Sequence, residues 1–147
     1  MSQSEQVTIV MIEDDEGHAK LIERNLRRAG IMNELVHLET GKKALDYFFP
    51  ADEPRIPRRM PLLILLDLNL PEVDGYEILE RLKRDTHTRA VPVIVLTTTE
   101  NPQEIQRCYD LGCNVYMAKP VEYEAFAESI RKLGMLLAVV KVPHTEG

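Results

Sequence analysis

The pattern of apolar and polar positions divides the chain into alternating strands and helices. The clearest strand is the uninterrupted aliphatic run 62–66, which leads directly into Asp67. A run of this kind is typical of a strand buried on both faces of a parallel sheet. Apolar residues at helical spacing, such as Ala19, Ile22 and Leu26, indicate amphipathic helices between the strands. The pattern therefore predicts an α/β protein.

Five strands and five helices are predicted in alternation. The strands are expected at 7–13, 34–38, 62–66, 91–96 and 115–118. The helices are expected at 16–29, 40–49, 75–84, 102–111 and 122 to about 140. Strict alternation favours a doubly wound five-stranded parallel sheet with helices on both faces. The proline-rich segment 50–61 is predicted to be an exposed loop.

Length and composition fit one domain that works in the cytoplasm. The 147 residues suit a single domain, 1–147, with a core at about 7–137 and an apolar C-terminal extension at about 134–147. The chain has 18 Lys and Arg against 24 Asp and Glu, a formal net charge of −6. This charge disfavours nonspecific binding to nucleic acid or to an anionic membrane. Neither a transmembrane run nor the apolar core of a signal peptide is expected.

Polar side chains end four of the five predicted strands. In chain order they are Glu13, Asp14 and Asp15, then Asp67, then Thr97, Thr98 and Thr99, and finally Lys119. Because the carboxyl ends of parallel strands meet at one edge of a sheet, where ligands bind, we expect these side chains to lie together. The four histidines are His18, His37, His87 and His144. They lie apart without ligand spacing, and none is assigned a role.

The residue types at this edge suit phosphoryl chemistry. Clustered carboxylates repel one another unless a cation lies among them, and all-oxygen ligands suit a hard ion, of which Mg²⁺ is the expected one. Asp67 can then bind metal through one oxygen and attack a phosphoryl group through the other, which gives an acyl phosphate. Lys119 would offset charge on the transferred oxygens, and the Thr97 hydroxyl would hydrogen-bond them.

With these motifs the chain resembles the receiver domains of two-component response regulators, which have a flavodoxin-like fold, over about 7–137. The resemblance implies that Asp67 is the phosphoacceptor and that Asp14 binds Mg²⁺ directly. It also implies that Glu13 binds the ion through water and that Asn69 offers its backbone carbonyl. Asp15 falls one position too late for a ligand and is expected to face the first helix.

The same resemblance implies roles for the remaining motif residues. Thr97 matches the switch hydroxyl, Lys119 the phosphate-contacting lysine and Tyr116 the aromatic rotamer switch. Pro120 matches a proline that this family holds in a cis peptide. Thr98 stands where many receivers have a smaller residue, so its bulk is expected to affect access of the phosphoryl group.

More narrowly, the chain is similar to the stand-alone regulators paired with bacterial and cyanobacterial phytochrome histidine kinases. The segments 65–71 and 96–99 and the proline-rich loop carry this similarity. It implies a histidine kinase as partner, and a phytochrome in particular. Only 141–147 follow the last predicted helix, so the expected output is a surface change that a partner or a second copy recognises.

The last predicted helix has apolar residues outside its inward stripe. They are Met135, Leu136, Val139 and Val140. A helix that is apolar on several faces is usually buried, so we expect a homodimer contact here, the alternative being a tail folded onto its own domain.

Two other functions stay open at this point. A Mg²⁺-dependent phosphohydrolase with an aspartate nucleophile would need a second Asp as general acid two residues after Asp67, where this chain has Asn69. A receiver-shaped scaffold that is never phosphorylated has no need of a self-repelling acidic cluster. The sequence therefore favours a phosphoacceptor switch that is not an enzyme.

Overall fold

The structure is a computed structural model that describes residues 7–51, 62–119, 122, 124–126 and 128. In this part of the chain five strands alternate with four helices. The strands are β1 (Thr8–Ile12), β2 (Leu35–Leu38), β3 (Leu62–Asp67), β4 (Val93–Thr97) and β5 (Val115–Ala118). The helices are α1 (Glu16–Arg28), α2 (Gly41–Phe48), α3 (Gly75–Arg84) and α4 (Pro102–Asp110). None of the described helices is both long enough and apolar enough to cross a bilayer.

The five strands form one parallel sheet in the order β2-β1-β3-β4-β5. β2 pairs with one edge of β1, and β3, the next strand in sequence, pairs with the opposite edge of β1. The strand order therefore reverses between β1 and β3, and the crevice outside their carboxyl ends is where such sheets bind ligands. The predicted doubly wound parallel sheet is confirmed.

The sheet separates two apolar cores. On one face, Ile9 and Met11 of β1 pack with the buried side of α1, including Ile22 and Leu26. On the other face, residues of β1, β3 and β4 pack with α2, α3 and α4. All six residues of β3 are buried, as the aliphatic run predicts for a central strand. Each large apolar side chain removed from water in this way contributes roughly 1.5–3 kcal/mol.

The bounds of β5 and α3 are the predicted ones, and those of the other described elements differ from the predicted bounds by one or two residues. Thr40, predicted as helical, is the N-cap of α2, because its hydroxyl oxygen accepts a hydrogen bond from the Lys43 N–H at 3.0 Å. β4 begins at Val93 and not at Val91, and the intervening Pro92 has no N–H to donate to a neighbouring strand.

Part of the C-terminal prediction falls outside the described residues. Phe126 is buried among the residues of the α1 face, and its N–H donates to the Glu122 carbonyl at 3.0 Å, a helical spacing. Pro120 and the four candidate dimer residues lie outside the described part of the chain, as does most of the loop at 50–61. The dimer and the cis peptide therefore stay predictions.

Candidate functional site

The strand ends gather the polar residues at one edge of the sheet. Asp67 is the last residue of β3, and Thr97 is the last residue of β4. Glu13 and Asp14 follow β1, and Lys119 follows β5 directly. Parallel pairing from β1 across β3 and β4 to β5 keeps these ends level with one another. The four strand ends predicted to meet therefore do meet.

Three carboxylates form the centre of this edge. One oxygen from each of Glu13, Asp14 and Asp67 lies within 4.8 Å of those of the other two. Glu13 and Asp67 are buried, whereas Asp14 is exposed. Charges this close repel strongly where water is excluded, so the cluster favours a cation among its oxygens.

Lys119 supplies one such cation. Its Nζ lies 2.8 Å from Oε1 of Glu13 and 3.2 Å from Oδ2 of Asp67, and its side chain is only 8% exposed. The backbone N–H of Lys119 donates to the Thr97 carbonyl at 3.0 Å, which fixes where the side chain starts. A single ammonium offsets the charge of only one carboxylate, so the cluster retains an excess of negative charge.

The buried carboxyl of Glu13 responds to this environment. Burial raises the pKa of Glu13, and the nearby Asp67 charge raises it further, whereas the hydrogen bond and charge of Lys119 lower it. The net effect is a pKa above the ordinary glutamate value. Because the ionised form is disfavoured here, any further cation that binds close to Glu13 makes ionisation easier.

The loop between β3 and α3 fixes the Asp67 carboxylate through a backbone hydrogen bond. The Asn69 N–H donates to Oδ1 of Asp67 at 3.0 Å. The loop also passes very close to the start of α3, since a Cβ on Gly75 would lie 2.6 Å from Leu68 Cα and 2.9 Å from the Asp67 carbonyl oxygen. Such approaches are shorter than ordinary contacts, so glycine is what allows α3 to pack against the backbone of Asp67.

A chain of hydrogen bonds links the end of β4 to an aromatic ring. Thr97 is buried, and its Oγ1 accepts a hydrogen bond from the Thr99 N–H at 3.1 Å. The Tyr116 hydroxyl donates to the Thr99 carbonyl at 2.8 Å. Burial raises the pKa of Tyr116 above its ordinary value. Thr98, between them, is exposed.

Asp15 belongs to helix α1 and not to the carboxylate cluster. It is the N-cap, and its Oδ1 accepts a hydrogen bond from the His18 N–H at 2.9 Å. This hydrogen bond lowers the pKa of Asp15. The placement agrees with the expectation that Asp15 faces the first helix.

Comparison with known proteins identifies the family. The family model of the response regulator receiver domain matches residues 9–131. The chain belongs to the response regulator receiver domain family. Response regulator Rcp1 of Synechocystis is 36% identical over 111 residues, which cover 76% of this chain and 75% of Rcp1.

Solved receiver structures agree with this assignment. A receiver domain from Rhodospirillum rubrum is 56% identical, with a TM-score of 0.76 over 96% of this chain and 100% of that one. The bacteriophytochrome response regulator AtBRR is 31% identical, with a TM-score of 0.75 over 98% of this chain and 100% of that one. The resemblance to single-domain phytochrome regulators is therefore confirmed. Members of the family are signalling proteins of two-component systems.

The donor set of this receiver domain fits a divalent cation. The three clustered side chains offer only carboxylate oxygens, which suit hard ions of the Mg²⁺, Ca²⁺ and Mn²⁺ class. Lys119 pairs with Glu13 and Asp67. Among the described contacts, the exposed Asp14 has no cationic partner. The excess negative charge on this side is what a metal ion would offset.

Sequence reasoning missed two histidines of the receiver site. Nδ1 of His18 lies 3.2 Å from Lys119 Nζ, and Nε2 of His37 lies 2.8 Å from the Glu13 carbonyl oxygen. These histidines are far apart in sequence, but the parallel sheet brings both to the edge where the strands end. Their spacing along the chain therefore gives no measure of their distance from the site. One signal was present for His18: it lies in the first turn of the helix that follows the acidic residues.

Proposed function

We propose that this receiver domain accepts a phosphoryl group on Asp67 from a histidine kinase, with Mg²⁺ bound beside it. The observation that carries the proposal is a buried strand-end carboxylate, 2% exposed, with two further carboxylates within 4.8 Å and an ammonium at 3.2 Å. A structural aspartate has no need of this combination. We further propose that the protein is a signalling switch and not an enzyme acting on an external substrate.

The transfer itself is a substitution at phosphorus. A carboxylate oxygen of Asp67 attacks the phosphorus of the kinase phosphohistidine, a P–O bond forms and the P–N bond breaks. The electron pair of the P–N bond stays on the histidine nitrogen. The Asn69 N–H, at 3.0 Å from Oδ1, orients the carboxylate for this attack. Aspartyl phosphate is the product, and hydrolysis returns the receiver to its resting state.

Lys119 and Thr97 act on the transferred group. Lys119 Nζ lies 3.2 Å from an Asp67 oxygen in the resting state and donates a hydrogen bond to a phosphoryl oxygen once that group arrives. The Thr97 hydroxyl accepts from the Thr99 N–H at rest and turns to donate to the phosphoryl group. The Thr99 carbonyl oxygen also accepts a hydrogen bond from the Tyr116 hydroxyl. Rotation of the Thr97 hydroxyl therefore alters the surface at the end of β4. That surface change is the proposed output.

We assign the metal ligands to the three carboxylates and the neighbouring loop. Asp14 and Asp67 would bind Mg²⁺ directly, Glu13 through water, and Asn69 through its backbone carbonyl. When bound, the ion offsets negative charge on the phosphoryl oxygens. The relative Rcp1 has a Mn²⁺-bound form, which supports a divalent ion in this family. Mg²⁺ is favoured here because the donors are all oxygen and the ion normally keeps several waters.

The proposed kinase is a phytochrome. AtBRR is a bacteriophytochrome response regulator, and RcpA, 30% identical to this chain, is a cyanobacterial phytochrome response regulator known in a phosphorylated form. The test is label transfer from a panel of autophosphorylated histidine kinases, with and without Mg²⁺. Transfer from a phytochrome at least about tenfold faster than from the other kinases supports the pairing, and equal rates contradict it.

Mg²⁺ should stabilise the fold. The ion binds the native carboxylate cluster and has no organised site in the unfolded chain, so at about a hundredfold above its dissociation constant the gain is roughly 2.7 kcal/mol. Thermal melting with and without Mg²⁺ measures the gain. Asp14→Ala is the control, because it removes an exposed ligand without touching the core. An equal shift in parent and variant would argue against the site.

Thr97→Ala should separate phosphorylation from switching. The variant still accepts phosphate on Asp67, but the response of the Tyr116 ring should weaken, because the hydroxyl that links the phosphoryl group to Thr99 is gone. The measurement is the NMR signal of Tyr116 with and without a beryllium fluoride phosphate mimic. Thr97→Ser should restore the response, and Thr98→Ala tests the exposed neighbour. An unchanged response in Thr97→Ala removes this residue from the switch.

We also propose a symmetric homodimer through Met135, Leu136, Val139 and Val140, on the sequence argument alone. Burying such side chains yields roughly 1.5–3 kcal/mol each before association costs. Leu136→Glu combined with Val140→Lys should therefore give a folded monomer. Sedimentation of parent and variant tests this. A parent that is monomeric at high concentration rejects the dimer, and an unfolded variant would assign these residues to the domain's own core.

A further inference from the structure

The third acceptor around the Lys119 ammonium is a histidine. Nζ lies 2.8 Å from Glu13 Oε1, 3.2 Å from Asp67 Oδ2 and 3.2 Å from His18 Nδ1. An ammonium has three N–H donors, and the described residues place three acceptors around it. Two of these acceptors are carboxylates that the proposed transfer uses, whereas the third, His18, has no part in it so far.

The direction of this hydrogen bond follows from the chemistry of the two groups. A lysine ammonium has no lone pair and can only donate, so this hydrogen bond requires Nδ1 of His18 to accept, and Oε2 of Glu13, 3.8 Å from Nδ1, is too far to take a hydrogen bond from it. The ring is then in the tautomer that carries its proton on Nε2. A contact of this kind is specific, since it requires an unprotonated ring nitrogen that points at the lysine.

Helix α1 holds His18 in place. The His18 N–H donates to Oδ1 of the N-cap Asp15 at 2.9 Å, and the Asp15 N–H donates to Oε2 of Glu13 at 3.2 Å. The next residue, Ala19, is buried in the core on the α1 face. The backbone of His18 is therefore tied both to the helix cap and to the carboxylate cluster, so its ring is presented to Lys119 from a fixed position.

The three acceptors pull the ammonium in different directions. The carboxylates of Glu13 and Asp67 are 0% and 2% exposed, whereas the His18 side chain is 49% exposed. The carboxylates therefore draw Lys119 into the protein, and His18 draws it toward the solvent-exposed side of the site, the side that a phosphoryl donor can reach. A neutral acceptor is also the contact that the ammonium can exchange for a phosphoryl oxygen without leaving a carboxylate unpaired.

We infer that His18 is a positioning residue for phosphoryl transfer: it holds Lys119 at the mouth of the site, ready to contact the incoming phosphoryl oxygens. The inference rests on the function proposed above. Without His18 only the two buried carboxylates, at 2.8 and 3.2 Å, hold the ammonium, and no acceptor keeps its third N–H directed at the mouth of the site. His18 itself touches no reacting atom in this role.

The test compares an acceptor that is kept with one that is removed. Asn places its Oδ1 the same number of bonds from Cα as His places Nδ1, so His18→Asn retains an acceptor, whereas His18→Leu removes it. Each variant is phosphorylated with acetyl phosphate and Mg²⁺, and the aspartyl phosphate is followed by intact mass. His18→Leu should be phosphorylated at least about fivefold more slowly than the parent, and His18→Asn within about twofold of it. His87→Leu is the control histidine, since His87 pairs with Asp85 away from the site.

A second measurement does not depend on phosphorylation. In ¹⁵N NMR spectra of the parent, Nδ1 of His18 should be unprotonated, and its shift should change in Lys119→Met. The inference is overturned if His18→Leu is phosphorylated as fast as the parent, or if His18→Leu and His18→Asn slow phosphorylation equally. It is also overturned if Nδ1 of His18 carries a proton in the parent. If the parent is not phosphorylated on Asp67 at all, the proposed function fails, and the NMR spectra alone then decide whether His18 holds Lys119.

Discussion

Asp67→Asn will abolish Mg²⁺-dependent phosphorylation of this receiver domain. The amide has nearly the shape of the carboxylate and can still accept the Asn69 hydrogen bond at Oδ1, but its nitrogen and oxygen are poor nucleophiles. We expect the rate of label incorporation to fall below about one thousandth of the parent rate, as it does when a covalent nucleophile is removed. The measurement is incorporation from a phosphorylated histidine kinase and from acetyl phosphate, each with Mg²⁺ and with a chelator.

Two controls separate the loss of the nucleophile from the loss of the fold. Asp46→Asn removes an exposed carboxylate of α2 that pairs with Lys42, and it should leave labelling unchanged. Thermal melting should show that Asp67→Asn is folded, because the substitution removes one of three mutually repelling charges. Label retained in Asp67→Asn would place the acceptor elsewhere, and peptide mapping would show whether it is Asp14 or His18.

The parallel sheet and its functional edge were predictable because one periodic signal determines both. An aliphatic run without polar interruptions is typical of a strand covered on both faces, and the first polar residue after such a strand lies at its carboxyl end. For that reason Asp67, Thr97 and Lys119 could be brought together from sequence. The same logic set the bounds of the described strands and helices to within two residues, and the differences at α2 and β4 arise at the caps and at Pro92.

The contacts within the site were less predictable. A lysine at a strand end suggests a phosphate contact, but its resting partners, Glu13 and Asp67, depend on how far its side chain reaches across β1 and β3. The approach of His18 depends on how α1 docks on the sheet, which periodicity does not determine. Gly75 could be recognised only as the start of a helix, since a close approach between backbones leaves no mark in the apolar pattern.

Gly75→Ala is expected to produce the largest loss of stability among the glycine substitutions at the site. The added Cβ would lie 2.6 Å from Leu68 Cα, 2.8 Å from the Leu68 carbonyl oxygen and 2.9 Å from the Asp67 carbonyl oxygen. These are backbone atoms of the segment that ends β3, so no side chain can rotate away and the loop itself must shift. Forced overpacking of this kind costs roughly 3 kcal/mol, and the shift moves the phosphoacceptor as well. Urea unfolding followed by circular dichroism measures the free energy, because the chain has no tryptophan to report by fluorescence.

Gly30→Ala separates steric clash from backbone strain. Gly30 has φ +85°, so alanine is strained there, but nothing lies within 4 Å of an added Cβ. Strain alone costs about 1 kcal/mol, so Gly75→Ala should lose clearly more stability than Gly30→Ala and should also be phosphorylated more slowly. Gly30 follows α1 and lies away from the carboxyl ends of the strands, so Gly30→Ala should be phosphorylated at the parent rate. Equal losses of stability in the two variants would mean that α3 does not press on the backbone of Asp67, and Asn69 would then hold the carboxylate without that support.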